Sequence, residues 1–83
     1  MNGEARAGSA PEEEPDHFIR CRLDDLLARN GLTLTELARR VDMSVVNLSI
    51  LKNNRARAIR FTTLSALCRE LHCTPGELFE FVP

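Results

Sequence analysis

The chain has 83 residues, with 11 Lys and Arg against 12 Asp and Glu, and it contains neither Trp nor Tyr. That length supports one small domain with a modest core and leaves no room beside it for a substrate pocket, which argues against an enzyme. The missing large aromatics exclude a stacking platform for single-stranded bases, and no apolar run approaches the roughly 18 residues of a membrane span.

The near-neutral balance conceals two opposed segments. Residues 1–16 carry Glu4, Glu12, Glu13, Glu14 and Asp16 against Arg6, a net charge of −4. Residues 33–60 carry Arg39, Arg40, Lys52, Arg55, Arg57 and Arg60 against Glu36 and Asp42, a net charge of +4. A clustered basic segment is the footprint of a polyanionic partner, although scattered bases also serve as a solvated face. Cys21, Cys68 and Cys73 make an odd count in a chain with no visible signal peptide, which points to a reducing, cytoplasmic setting.

In chain order, residues 1–15 mix Gly, Ser and Pro with a Glu run and have no apolar period, so an acidic, disordered tail is expected there. The domain is expected over 16–83. Ile19, Leu23, Leu26 and Leu27 recur at helical spacing, with Asp24, Asp25 and Arg29 facing out, and Asn30-Gly31 ends this first helix. Thr33 and Glu36 form a capping box for a second helix over about 34–41, stapled by Leu32 and Leu37 and facing inward with Leu37, Ala38 and Val41. Ser44 caps a third helix, with Met43 and Leu48 as its staple and Leu48 and Leu51 inward, ending near Asn53-Asn54. A basic loop spans 54–60. The fourth helix carries Phe61, Leu64, Leu67, Cys68 and Leu71 on one face. Thr74-Pro75-Gly76-Glu77 opens a fifth helix with an apolar end at Leu78, Phe79, Phe81 and Val82. No strand signal is seen, so the expected class is all-α with five helices.

Only Asp42 and Met43 separate Val41 from the Ser44 cap. Helices joined so tightly must cross rather than lie antiparallel, which is the geometry of a helix-turn-helix whose second member enters the major groove. On these residues the chain resembles the Cro- and phage-repressor-type helix-turn-helix family, in its compact bacterial subgroup. The resemblance rests on Leu32-Thr33-Leu34-Thr35-Glu36-Leu37-Ala38, Val41, Met43-Ser44, Leu48 and Leu51. It continues through Leu51-Lys52-Asn53, Arg60-Phe61-Thr62-Thr63-Leu64, Leu67-Cys68, Leu71 and Thr74-Pro75-Gly76-Glu77-Leu78, and covers residues 18–80. It implies a five-helix repressor-like domain, with helices 2 and 3 as the helix-turn-helix, and a transcriptional regulator bound to double-stranded DNA. By that resemblance, Arg60 stands where relatives place a base near the phosphates or minor groove. The sequence departs from the family pattern at Asp42 and Asn54, which replace the usual glycines, at Lys52, which replaces a commonly acidic residue, and at Val45 and Val46, which replace polar base readers and shift weight to shape readout.

The residues of the third helix's first turns, Ser44, Val45, Val46, Asn47 and Ser49, are the candidate base contacts. Asn47 suits a bidentate pair with adenine, and the valines suit a thymine methyl. Local capping by Asn47, and packing of a valine against the domain, are the competing uses. Thr33 and Thr35, at the second helix's N-terminus, and Lys52, Asn53, Arg55, Arg57 and Arg60 are the candidate phosphate contacts. Leu78, Phe79, Phe81 and Val82 form either a homodimer contact or the seam onto Leu26 and Leu67. Cys68, His72 and Cys73 fit no usual zinc spacing; Cys68 suits a core position on the apolar face, and Cys73 a staple before Thr74. Cys21 and His17 are expected near the surface, His17 as a solvated residue. No cofactor is expected. The other function class open to this fold is a protein-interaction module, antitoxin-like or accessory, using the Val45-Val46 surface and the acidic tail.

Overall fold

The computed structural model describes residues 17–83; the tail expected over 1–15 lies outside them. Among the described residues are five helices and one two-stranded ribbon. In order these are β1 (Ile19–Cys21), α1 (Leu23–Asn30), α2 (Leu34–Val41), α3 (Val45–Lys52), α4 (Phe61–Leu71), α5 (Pro75–Leu78) and β2 (Phe79–Phe81).

The helix ends follow from local chemistry. Gly31 closes α1 at φ +64°. Thr33 Oγ1 accepts the Glu36 N–H at 3.1 Å, while Glu36 Oε1 accepts the Thr33 N–H at 3.0 Å, a complete capping box for α2. Asp42 ends α2 at φ +57°, and Ser44 Oγ opens α3 by accepting the Asn47 N–H at 3.0 Å. Thr74 and Glu77 repeat the box at α5, with Pro75 in its first turn. Asp42, Asn54 and His72 all sit at positive φ, a conformation that costs most side chains roughly 1–2 kcal/mol. Short polar side chains tolerate it best, which explains why Asp and Asn can replace glycine at the first two positions.

The core is leucine-built. Leu23, Leu37, Leu48, Leu67, Leu71 and Leu78 are sealed from solvent, with Leu26, Leu27, Ala38, Val41 and Leu51 beside them. α2 packs against both α3 and α4, and α4 against α1 and α5. Asn30 ties two helix ends together: its Nδ2 donates to Leu26 O at 2.8 Å and to Leu71 O at 2.9 Å.

The structure corrects the sequence-based expectations at the two ends of the domain. Ile19 does not begin α1; it lies in β1, paired antiparallel with β2 in the register Ile19 to Phe81, Arg20 to Glu80 and Cys21 to Phe79. Three-residue strands leave almost no periodicity, and this pairing joins segments 60 residues apart in sequence. The alternations Ile19-Arg20-Cys21 and Phe79-Glu80-Phe81 were the available signal. Phe61 does not join the core face of α4 but is 85% exposed, as the first residue of the helix, whereas Leu67 and Leu71 further along are sealed. His17 is half-buried rather than solvated: its Nε2 pairs with Ala56 O at 3.0 Å and its Nδ1 accepts the Ile19 N–H at 3.1 Å.

Candidate nucleic-acid interface

α3 presents two unlike faces. Leu48 and Leu51 are buried in the core, on the side of α3 that packs against α2. Ser44, Val46 and Asn47 are exposed, Val46 to 69%, and Val45 to 41%. A β-branched side chain on a helix surface loses rotamer freedom without gaining burial, so two in succession leave apolar surface unused. The competing uses separate cleanly here. Ser44, not Asn47, supplies the capping oxygen, and the Asn47 carboxamide makes no hydrogen bond to any described residue. Ser49 is half-buried one turn on, and its hydroxyl accepts from Asn53 Nδ2 at 3.3 Å, so Ser49 and Asn53 engage each other.

At the start of α2, Thr33 and Thr35 are both exposed. The N–H and hydroxyl of Thr33 are already held by the Glu36 carboxylate, at 3.0 and 3.3 Å. These bonds, followed by Arg40 and Arg39, hold the Glu36 carboxyl below its ordinary value of 4.5. The first-turn N–H groups of Leu34 and Thr35 keep their outward direction, since an α-helix offers them no internal acceptor.

Past α3, Asn53 and Asn54 turn the chain into the basic loop. Ala56 and Ile59 are half-buried against the core, so Arg55, Arg57 and Arg60 alternate outward between them. Two unpredicted contacts fasten this loop: His17 holds Ala56 O, and Asn54 Oδ1 accepts the Cys21 N–H at 2.7 Å. Asn54 therefore supplies both the left-handed turn at φ +66° and an acceptor for β1, the second of which glycine cannot do. Beneath the arginines an apolar groove of about 400 Å³ runs between β1 and residues 56–59.

The six bases of residues 33–60 are not equivalent. Lys52 is directed back across the domain, its Nζ 3.4 Å from Asp24 Oδ1 on α1. Arg40 reaches Glu70 on α4 at 3.8 Å. Both pairs are solvent-accessible and individually weak. Arg55 and Arg60 have no ion pair with any described residue. The structure thus groups Ser44, Val45, Val46 and Asn47 on one exposed turn, and Arg55, Arg57 and Arg60 on one anchored loop. It draws Lys52 toward α1 instead.

The cysteines are free thiols and half-buried. Burial, with Cys68 adjacent, pushes the Cys73 thiol up to about 11, and burial likewise raises Cys21. Among the described residues no three His, Cys, Asp or Glu side chains converge as a metal site, and no helix is long and apolar enough to cross a membrane. At the C-terminal end Leu78 is fully buried and cannot form a dimer contact; Phe79 is half-buried against the core.

Comparisons with known proteins match this architecture. Residues 22–83 match the family described as Cro/C1-type HTH DNA-binding domain. A relative from Bacillus subtilis (strain 168), the "Uncharacterized HTH-type transcriptional regulator YozG", is 48% identical over 59 residues, 71% of this chain and 70% of its own. Among solved structures, the transcriptional regulator VanUg (Form II) shares the fold with a TM-score of 0.67 at 24% identity, over 94% of this chain and 99% of that one.

Proposed function

This chain belongs to the Cro/C1-type helix-turn-helix DNA-binding family, and from that premise we propose that it regulates transcription by laying α3 in the major groove of duplex DNA. Asn47 reads a base edge, adenine being the best match for its carboxamide, and Val45 and Val46 contact thymine methyl groups. Ser44 assists from the cap, its hydroxyl hydrogen still available to an acceptor. Ser49 contributes from the next turn at the groove edge. The first-turn N–H groups of α2 with Thr35, and to a lesser extent Thr33, hold one phosphate strand; Arg55, Arg57 and Arg60, aided by Asn53, hold the other. Lys52 acts only when it leaves Asp24.

The observation that carries this reading is the exposed, unpartnered first turn of α3 above a sealed underside. A turn packed on both sides could not enter a groove. With two valines and one carboxamide, direct readout is narrow, so sequence-dependent groove shape supplies part of the selectivity.

The test is fluorescence anisotropy on mixed duplex DNA across a salt series. Three arginines neutralising three phosphates give a slope of log K against log salt of roughly −2.7 per chain, or about a 40-fold loss between 50 and 200 mM. Arg60→Ala should lower that slope by about one. Binding that is absent at low salt, or indifferent to salt, would transfer the exposed valines to a protein-interaction role.

A further inference from the structure

The domain supplies little counter-charge to its own basic loop. Arg55, Arg57 and Arg60 are all exposed, and no acid among the described residues pairs with Arg55 or Arg60. Most acids of the domain are engaged elsewhere: Asp24 with Lys52, Glu36 with Thr33, Glu70 with Arg40, and Asp25 and Glu80 with Arg22. The chain also enters the domain at this loop. His17 Nε2 pairs with Ala56 O at 3.0 Å, on the residue that stands between Arg55 and Arg57. Its Nδ1 is held by the Ile19 N–H, so the ring is fixed at both nitrogens. Whatever precedes His17 in the sequence therefore starts beside the arginines.

What precedes it is Glu12-Glu13-Glu14-Pro15-Asp16. Four negative charges thus lie within five residues of a fixed point on a loop that carries three positive ones. A fully extended chain covers about 3.4 Å per residue, so even Glu12 is at most roughly 17 Å from His17. A segment tethered this closely meets the loop at a millimolar effective concentration, where weak, exposed ion pairs become populated. Blocks of like charge at a chain end often act as interaction segments. The family match covers residues 22–83, so these acids belong to this chain and not to the shared fold.

We propose that Arg55, Arg57 and Arg60 form a surface for acidic peptide whose occupant is Glu12, Glu13, Glu14 and Asp16 of the same chain, and that duplex DNA must displace these acids to bind. The displacement rests on the reading that the loop arginines hold phosphates. Carboxylate and phosphate oxygens both accept the paired N–H groups of a guanidinium, so the two polyanions compete for the same donors. The arginines contact backbone and carry no sequence information, so the competition lowers affinity for all duplexes by the same factor. Its consequence is selective even so. Weak, non-specific complexes empty first, while a preferred site read by α3 stays filled.

The test compares the full chain with a full-length variant carrying Glu12→Gln, Glu13→Gln, Glu14→Gln and Asp16→Asn. Without DNA, the NMR signals of the Arg55, Arg57 and Arg60 Nε–H groups should differ between the two chains at about 50 mM salt and converge near about 0.5 M, where screening is short-ranged. With mixed duplex DNA at low salt, the variant should bind roughly 3- to 10-fold more tightly, the combined worth of two or three exposed ion pairs. That gain should vanish when Arg55, Arg57 and Arg60 are also replaced by Gln, which separates displacement from general repulsion between acids and DNA. Arginine signals that are identical in the two chains overturn the proposal. So does a gain of equal size in the chain without the arginines. Arginine signals that move in a chain binding no duplex sustain the contact and sink the groove reading instead.

Discussion

Replacing Asn47 and Ser44 separately by alanine distinguishes a base reader from a helix cap one turn apart. Ser44 Oγ accepts the Asn47 N–H at 3.0 Å at the mouth of α3. Ser44→Ala strands that donor and should lower stability by about 0.5–2 kcal/mol. In a domain this small each kcal/mol moves the melting midpoint by roughly 4–8 °C. The Asn47 carboxamide is exposed and bonded to no described residue, and alanine is a better helix former, so Asn47→Ala should leave stability within about 0.5 kcal/mol. Its effect belongs to DNA: a lost bidentate pair costs about 1–3 kcal/mol, or roughly 5- to 150-fold in Kd, on the preferred site. On unrelated duplexes, where phosphate contacts carry the affinity, it should cost almost nothing. The assay is a thermal melt of both variants beside anisotropy on a selected site and on a scrambled one. Equal loss on the two DNAs refutes base reading by Asn47, and destabilisation matching that of Ser44→Ala returns Asn47 to a capping role.

Three further outcomes follow from the same contacts. Asn54→Gly restores the residue usual in the family yet should destabilise by about 1 kcal/mol in a urea titration, because easing φ +66° does not replace the acceptor lost by the half-buried Cys21 N–H; a neutral or stabilising result shows that bond to be dispensable. Leu48→Ala, beneath the exposed turn of α3 at 0% exposure, should cost about 2–5 kcal/mol in the same titration, whereas Val46→Ala should stay within about 0.5 kcal/mol. The Glu36 carboxyl is held below its ordinary 4.5, first by the Thr33 N–H and then by the Thr33 hydroxyl. Its contribution is complete above that ordinary value and is lost as pH falls through the lowered folded one. Glu36→Gln should flatten the acid limb of stability below about pH 4.5 and leave the neutral region little changed; an unaltered acid limb places the acid sensitivity elsewhere.

The sequence by itself determined the helical frame, because helix boundaries are written in adjacent residues. Thr33 with Glu36, Ser44, Thr74 with Pro75 and Glu77, and Gly31 each act within one turn, so α2 and the cap of α3 were legible to the residue. The spacing of Leu37, Val41, Leu48 and Leu51 likewise fixed which face of the helix-turn-helix is sealed and which is offered outward. Tertiary structure decided whatever depends on partners far apart in the chain. The β1–β2 ribbon joins the two ends of the domain through three residues each, too few for periodicity to show. Leu78, the last residue of α5, is sealed in the core while Phe81 in β2 is exposed, dividing an apolar run that composition alone treats as uniform. Contacts across 28 to 39 residues draw Lys52 to Asp24, Asn54 to Cys21 and His17 to Ala56. No local pattern encodes such contacts, because whether a polar side chain faces solvent or a neighbour depends on packing the whole chain must complete first.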